Sequence, residues 1–299
     1  MKQLKSHTLS LPHALLALAV MAVWGTNFVV IKLALGHLPP LFFAGLRFFF
    51  AAFPLVFFLK RPNVPWRNLA AYGVLIGAGQ FGLLYIAMKA DISPGLASLV
   101  IQVQVFFTIG LSIVFTGERV RAFQWAALGL ATLGLGVILE HNGGDTTLLG
   151  LALTVLAALS WAGGNIVARA DGAVNMLSYI VWASLFSFPP LFALSLLFEG
   201  LPAIEQGLAN ADALTWGAVL WQSVGNTMFG YGCWGFLLAR YPTATVSPTA
   251  LLVPVFGMGA SAWILAEPLP MWKLLAAALV MGGLTVNVFW PMLRRPAAV

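Results

Sequence analysis

Seven uncharged amides, Asn27, Gln80, Gln102, Gln104, Asn165, Gln222 and Asn226, are set into stretches that are otherwise almost wholly apolar. An amide brings both a hydrogen-bond donor and an acceptor without carrying charge. In an apolar run it must turn toward a neighbouring helix or toward a watery cavity. The spacings favour shared helical faces: Ser98 and Gln102 are four residues apart, as are Gln222 and Asn226, and Trp161 and Asn165, while Trp24 and Asn27 are three apart. With Tyr85, Trp221 and Trp234, these residues could line a pore whose amides and hydroxyls alternate with large aromatic walls. Such a site suits a zwitterion, its head group held by amides and hydroxyls and its side chain by Trp and Tyr. The plainer alternative is hydrogen bonding between helices. The grouping favours the pore for the set as a whole.

Charge is scarce where it would matter most. Arg47 is the one ionisable residue well inside an apolar segment, and no Asp, Glu or His falls at a predicted midplane. An intramembrane cation is a functional hypothesis by default, but Arg47 lies about two turns into its segment and is expected to snorkel to the nearer interface. The predicted substrate is therefore neutral or zwitterionic and partly apolar, and no proton-relay carboxylate can be named. No Gly-x-x-x-x-Gly-Lys cradle for ATP is present, no His cluster offers metal ligands, and no membrane histidine could activate a buried serine. The expectation is a protein without catalysis, cofactor or metal.

What positions the amides is a set of apolar segments. The chain has 299 residues, of which 61% are hydrophobic and 8% charged, with a mean hydropathy of +0.93. A soluble domain carries about 25% charged residues, so most of this surface cannot face water. A spanning helix needs roughly 20 apolar residues. Ten segments qualify: 11–35, 39–59, 68–88, 93–116, 122–139, 148–168, 175–198, 213–238, 243–266 and 270–292. Strict alternation in short strands, the mark of a membrane barrel, is missing. The fold expected is an all-α integral membrane bundle. Its basic start is read as part of a retained first span, and the single Cys233 as an apolar packing residue.

Ten spans put both termini on one side. That side receives Lys2, Lys5, Lys60, Arg61, Arg67, Arg119, Arg121, Arg169, Arg240, Arg294 and Arg295, against Lys32, Lys89 and Lys273 on the other. The bias places both termini in the cytoplasm and assigns the net charge of +6 to topology, not to nucleic acid.

Two glutamates mark the organisation. Glu118 and Glu267 lie 149 residues apart, each in a turn between two apolar segments, and each is followed sixteen residues later by a glycine, Gly134 and Gly283. Tyr85 and Trp234, and Ser98 and Ser247, fall in the same register; Trp24 to Asn27 resembles Trp161 to Asn165. The chain reads as one five-helix module written twice, over 11–140 and 148–292, with short cytoplasmic termini at 1–10 and 293–299. Five spans is an odd number, so the second copy is inverted, an architecture that places substrate near the midplane between the repeats. Each glutamate is either a helix-boundary acid favoured by the dipole of the next span, or a latch to a basic residue on its own side: Arg119 or Arg240 for Glu118, Lys273 or Lys89 for Glu267.

Ten spans, a Trp-x-x-Asn near the end of the first and a Glu-containing turn after the fourth and ninth resemble the drug/metabolite transporter superfamily, EamA type, over residues 12–292. The closest pattern is that of bacterial amino-acid and metabolite exporters, including those for aromatic amino acids. The resemblance implies a basket with a central cavity lined by spans one, three, four, six, eight and nine, closed by spans five and ten, which would also support a homodimer. Val105 stands where the second half has Pro254, so a hinge is assigned to span nine. The expected function is a secondary transporter of small metabolites, most simply neutral or aromatic amino acids, across a bacterial inner membrane. The alternatives are a multidrug or other metabolite exporter of the same fold, or a non-transporting bundle such as a channel or assembly subunit.

Overall fold

A computed structural model of the chain describes residues 9–116, 121–144, 146–172 and 174–293; among them there are helices and no β-strand. The helical rods are α1 (Leu11–Ala34), α2 (Pro40–Ala52, followed by a short turn at Leu55–Phe57), α3 (Trp66–Ala90), α4 (Pro94–Phe115), α5 (Ala122–Glu140), α6 (Leu148–Ala170), α7 (Met176–Phe198), α8 (213–240), α9 (Ser247–Ile264) and α10 (Met271–Leu293). A further short helix, Leu201–Asn210, fills the connection between α7 and α8.

Local chemistry sets several of the starts. Ser93, Thr147, Asn175 and Asp212 each accept a hydrogen bond from the backbone N–H three residues on, capping α4, α6, α7 and α8. Proline occupies the first turn of α1, α2 and α4, where its missing N–H does no harm. Nine of the described helices are long and apolar enough to cross a membrane. The run 213–240 is not among them, because Gln222, Ser223, Asn226 and Thr227 interrupt its hydropathy; all four are buried.

The rods pair in a repeating pattern. α5 packs most closely on α10, α2 on α7, α1 on α9, and α4 on both α6 and α9; α3 lies against α6 and α7. The contact of α5 with α10 explains the paired glycines. A Cβ on Gly134 would stand 2.7 Å from Val280 and 3.0 Å from the Ala276 carbonyl, and one on Gly283 would stand 2.5 Å from the Ala127 carbonyl. Two apolar helices in lipid gain little from hydrophobic burial, so close backbone approach through small residues is what holds them together.

The helices also depart from regularity at matching places. α3 is π-helical over Leu75–Gly82 and α8 over Trp221–Phe229, while α4 tightens to a 3₁₀ turn at Ile101–Val103 and α9 starts with one at Ser247–Leu251. Proline does not cause the 3₁₀ turn in α4, since Val105 follows it there; in α9 the buried Pro254 follows and cannot donate to the Ala250 carbonyl.

Candidate functional site

Between the rods lies a cavity of about 470 Å³, within the range of sites that hold a small molecule. Trp24 and Asn27 of α1, Gln80 of α3, Gln102 of α4, Trp161 and Asn165 of α6, and Asn226 and Trp234 of α8 all line it, so most of the predicted set is brought together. Ser247, Ala250, Met176, Ala168 and Val288 carry the lining to the end of the bundle where α1 starts and α10 finishes. That end is held by contacts of its own: His13 meets the Tyr241 hydroxyl at 2.6 Å, and Asn68 and Tyr179 both donate to Asp171, at 2.5 and 2.7 Å.

Other predicted residues lie elsewhere. Ser98 is fully buried where α4 meets α9, packed on Gly257 and donating to the Gly95 carbonyl at 2.7 Å. Trp221 is 38% exposed and does not line the cavity. Tyr85 and Gln222 are fully buried behind its wall. Glu118 lies outside the described residues. Gln104, one of the seven amides, lines the cavity too, its Oε1 accepting from Asn165 Nδ2 at 2.8 Å; the sequence reading lacks Asn287 of α10, which lines the cavity although α10 is expected only to close the bundle. Asn287 is an amide in an apolar run like the others, so the same signal marks it.

Arg47 overturns its expected place. It is 1% exposed and lines the cavity. Its Nη1 donates to Gln222 Oε1 at 3.0 Å and to the Tyr85 hydroxyl at 3.3 Å. Tyr85 also donates to Gln222 Oε1, and Gln222 Nε2 donates to Asn27 Oδ1 at 2.6 Å. With its amide turned to satisfy both of its ends, Asn226 accepts from Arg47 Nη1 and Nη2 at 3.2 and 3.0 Å and from Asn27 Nδ2 at 3.0 Å. The guanidinium carbon sits 3.7 Å from the centre of the Phe81 ring, a cation–π contact. Among the described residues no carboxylate is paired with this cation.

The opposite end is tied shut. Lys32, at the end of α1, donates to the Met88 and Lys89 carbonyls at 3.0 and 3.1 Å, and Lys89, at the end of α3, returns a bond to the Leu35 carbonyl, so each lysine caps the other's helix. Glu199 accepts from the Leu41 and Phe42 N–H groups at the start of α2. Glu267 accepts from Ser93, Ser261, the Gly95 N–H at 3.0 Å and Lys273 Nζ at 2.9 Å, which fastens the α9–α10 turn to the start of α4. Lys273 is thus the basic partner that Glu267 takes, of the two that the latch reading named.

Burial alone would raise the Glu267 carboxyl. Hydrogen bonds from Ser261 and Ser93, the Lys273 ammonium and the Gly95 N–H outweigh it and hold the group below its usual range. With the folded value beneath an unfolded value of about 4.3, the stabilisation is complete above that pH and is lost as pH falls through the folded value. Melting of the detergent-solubilised protein should stay level from pH 7 to about 5 and fall below about 4. Glu267→Gln should shallow that fall; an unchanged acid limb would assign it to other groups.

Comparison with known proteins adds to this geometry. The model of the EamA-like transporter family matches twice, over residues 11–140 and 148–289. A probable amino-acid metabolite efflux pump of Salmonella typhimurium is 44% identical, over 95% of this chain and 97% of the relative. A protein of the same description from Escherichia coli K12 is 42% identical, over 92% and 94%. A crystal structure of another protein, 18% identical, shares the fold with a TM-score of 0.64 over 95% of this chain and 99% of that one.

Proposed function

Because this chain belongs to the EamA-like transporter family, we propose that it exports amino acids or closely similar metabolites by alternating access, as a secondary transporter and not an enzyme. The observation that carries this reading is the cavity itself: amides and tryptophans line it, its walls extend to the end of the bundle at the chain termini, and polar ties close the other end. A carrier caught open to one side has this form. The names of the two bacterial relatives support the substrate class.

In this reading 213–240 is the tenth span, its polar middle turned to the cavity and away from lipid. The two five-helix halves, 11–140 and 148–292, are inverted copies. The paired π-helical and 3₁₀ segments support that relation, as does a packing pattern in which α1 on α9 has its counterpart in α6 on α4. With both termini in the cytoplasm of a bacterial inner membrane, as the Lys and Arg bias indicates, the cavity faces inward, where an exporter loads.

Residues matched between the halves then sit at opposite ends. Ser98 and Tyr85 are packed away at the closed end, while Ser247 and Trp234 line the open one. Exchanging the two environments is the movement that would carry substrate across. Pro254 and the 3₁₀ turn before it supply a hinge in α9.

Counterflow in proteoliposomes tests the proposal. Vesicles loaded in turn with threonine, methionine, phenylalanine and tryptophan should show trans-stimulated uptake of labelled substrate for at least one of them. Gln102→Ala, Trp161→Ala and Asn165→Ala should each reorder the preference among the four, by about tenfold for a lost hydrogen bond or aromatic contact. Flux without trans-stimulation would indicate a channel, and no exchange of any of the four would remove the amino-acid reading.

A further inference from the structure

We propose that Arg47 is the seat for the substrate's carboxylate, and that the free acceptor on Gln80 faces its ammonium group; this rests on the transport reading above. Every partner of the Arg47 side chain is a neutral oxygen or an aromatic ring, and its Nε has no partner at all. Taking a guanidinium out of water without an anion is costly even when its N–H groups are bonded, because neutral acceptors replace only part of its hydration. That cost is relieved by a ligand that brings a negative charge and displaces nothing ionic.

The surroundings fit such a ligand. Arg47 sits seven residues into α2, about 10 Å below its start, deep in the bundle on the closed side of the cavity. Tyr85, Gln222 and Asn226 bond to the guanidinium, and Asn27 ties Gln222 to Asn226, so its plane is fixed before any ligand arrives. A fixed fork of donors is what bidentate carboxylate recognition requires. Gln80 is 3% exposed, lines the same cavity and has an Oε1 with no hydrogen-bond partner. A buried acceptor left open in the same cavity as the cation suits the ammonium half of a zwitterion. Trp24, Trp161 and Trp234 remain as walls for the side chain.

Two measurements test this, one of which is independent of transport. In counterflow with wild-type vesicles, the free acids of the four amino acids should compete about 100-fold better than their amides, which keep the ammonium and the side chain but lose the anion. Arg47→Gln should lose that preference, and Arg47→Lys should keep part of it. Separately, sodium benzoate should raise the melting temperature of the purified wild-type protein in detergent, benzamide should not, and Arg47→Gln should respond to neither. Amides competing within threefold of acids, or benzoate protecting Arg47→Gln as well as wild type, would overturn the assignment. If wild-type vesicles exchange none of the acids while benzoate still protects only the arginine form, the transport reading fails and the anion seat stands.

Discussion

Replacing Lys273 with methionine is expected to destabilise the protein by about 3–5 kcal/mol, the usual result of removing one partner of a buried ion pair. Lys273 is fully buried and its ammonium lies 2.9 Å from a carboxylate that is itself nearly enclosed. Without the cation, Glu267 keeps its bonds to Ser93, Ser261 and Gly95 but holds a negative charge in a site with little water. The double variant Lys273→Met with Glu267→Gln should recover most of the loss, because a neutral amide can keep several of those bonds. Chemical unfolding of all four combinations in detergent gives the coupling directly. A double variant no more stable than Lys273→Met alone would show that the ammonium serves packing and not the latch.

The second large effect concerns adjacent glycines. Gly283→Leu should cost at least about 3 kcal/mol, since its Cβ would press within 2.5 Å of the Ala127 carbonyl and backbone cannot swing aside as a side chain can. Gly282→Leu should be tolerated within about 1 kcal/mol, because a Cβ there meets nothing within 4 Å. Unfolding midpoints of the two variants decide the matter. Equal behaviour would mean that α5 and α10 do not approach each other so closely.

Much of this was legible in the sequence. Segment lengths and charge gave an all-helical membrane protein, of whose ten expected spans nine are helices long and apolar enough to cross a membrane among the described residues, and amides in apolar runs gave several of the cavity's polar groups. The sequence could not place Arg47. Depth along a helix says that a cation is within snorkelling reach of the interface, but only the packing of α2 shows that the guanidinium turns inward to Tyr85, Gln222 and Asn226. Nor could it separate Ser98 from Ser247: both are small hydroxyls in one register, and their different surroundings come from the closure of one end and not the other. The π-helical winding of α8 confounds any count in fours. Thr227 donates to the Gln222 carbonyl five residues back at 2.8 Å, so faces drift across this stretch, and Trp221 lies 38% exposed and off the cavity wall. Gln222 and Asn226 both meet the guanidinium, Asn226 from the cavity wall and Gln222 from behind it.

The contact between α5 and α10 has a mechanical consequence. Where backbone meets backbone through Gly134 and Gly283, with alanines alongside, neither helix can slide or roll without collision. The two act as a single stiff strut. Strain imposed at either end of the molecule is then transmitted past this strut into the softer rods, α3 and α8 with their π turns and α4 and α9 with their 3₁₀ turns. The bundle thus has a fixed frame and a compliant interior, and four of the cavity amides, Gln80, Gln102, Gln104 and Asn226, ride on the compliant rods.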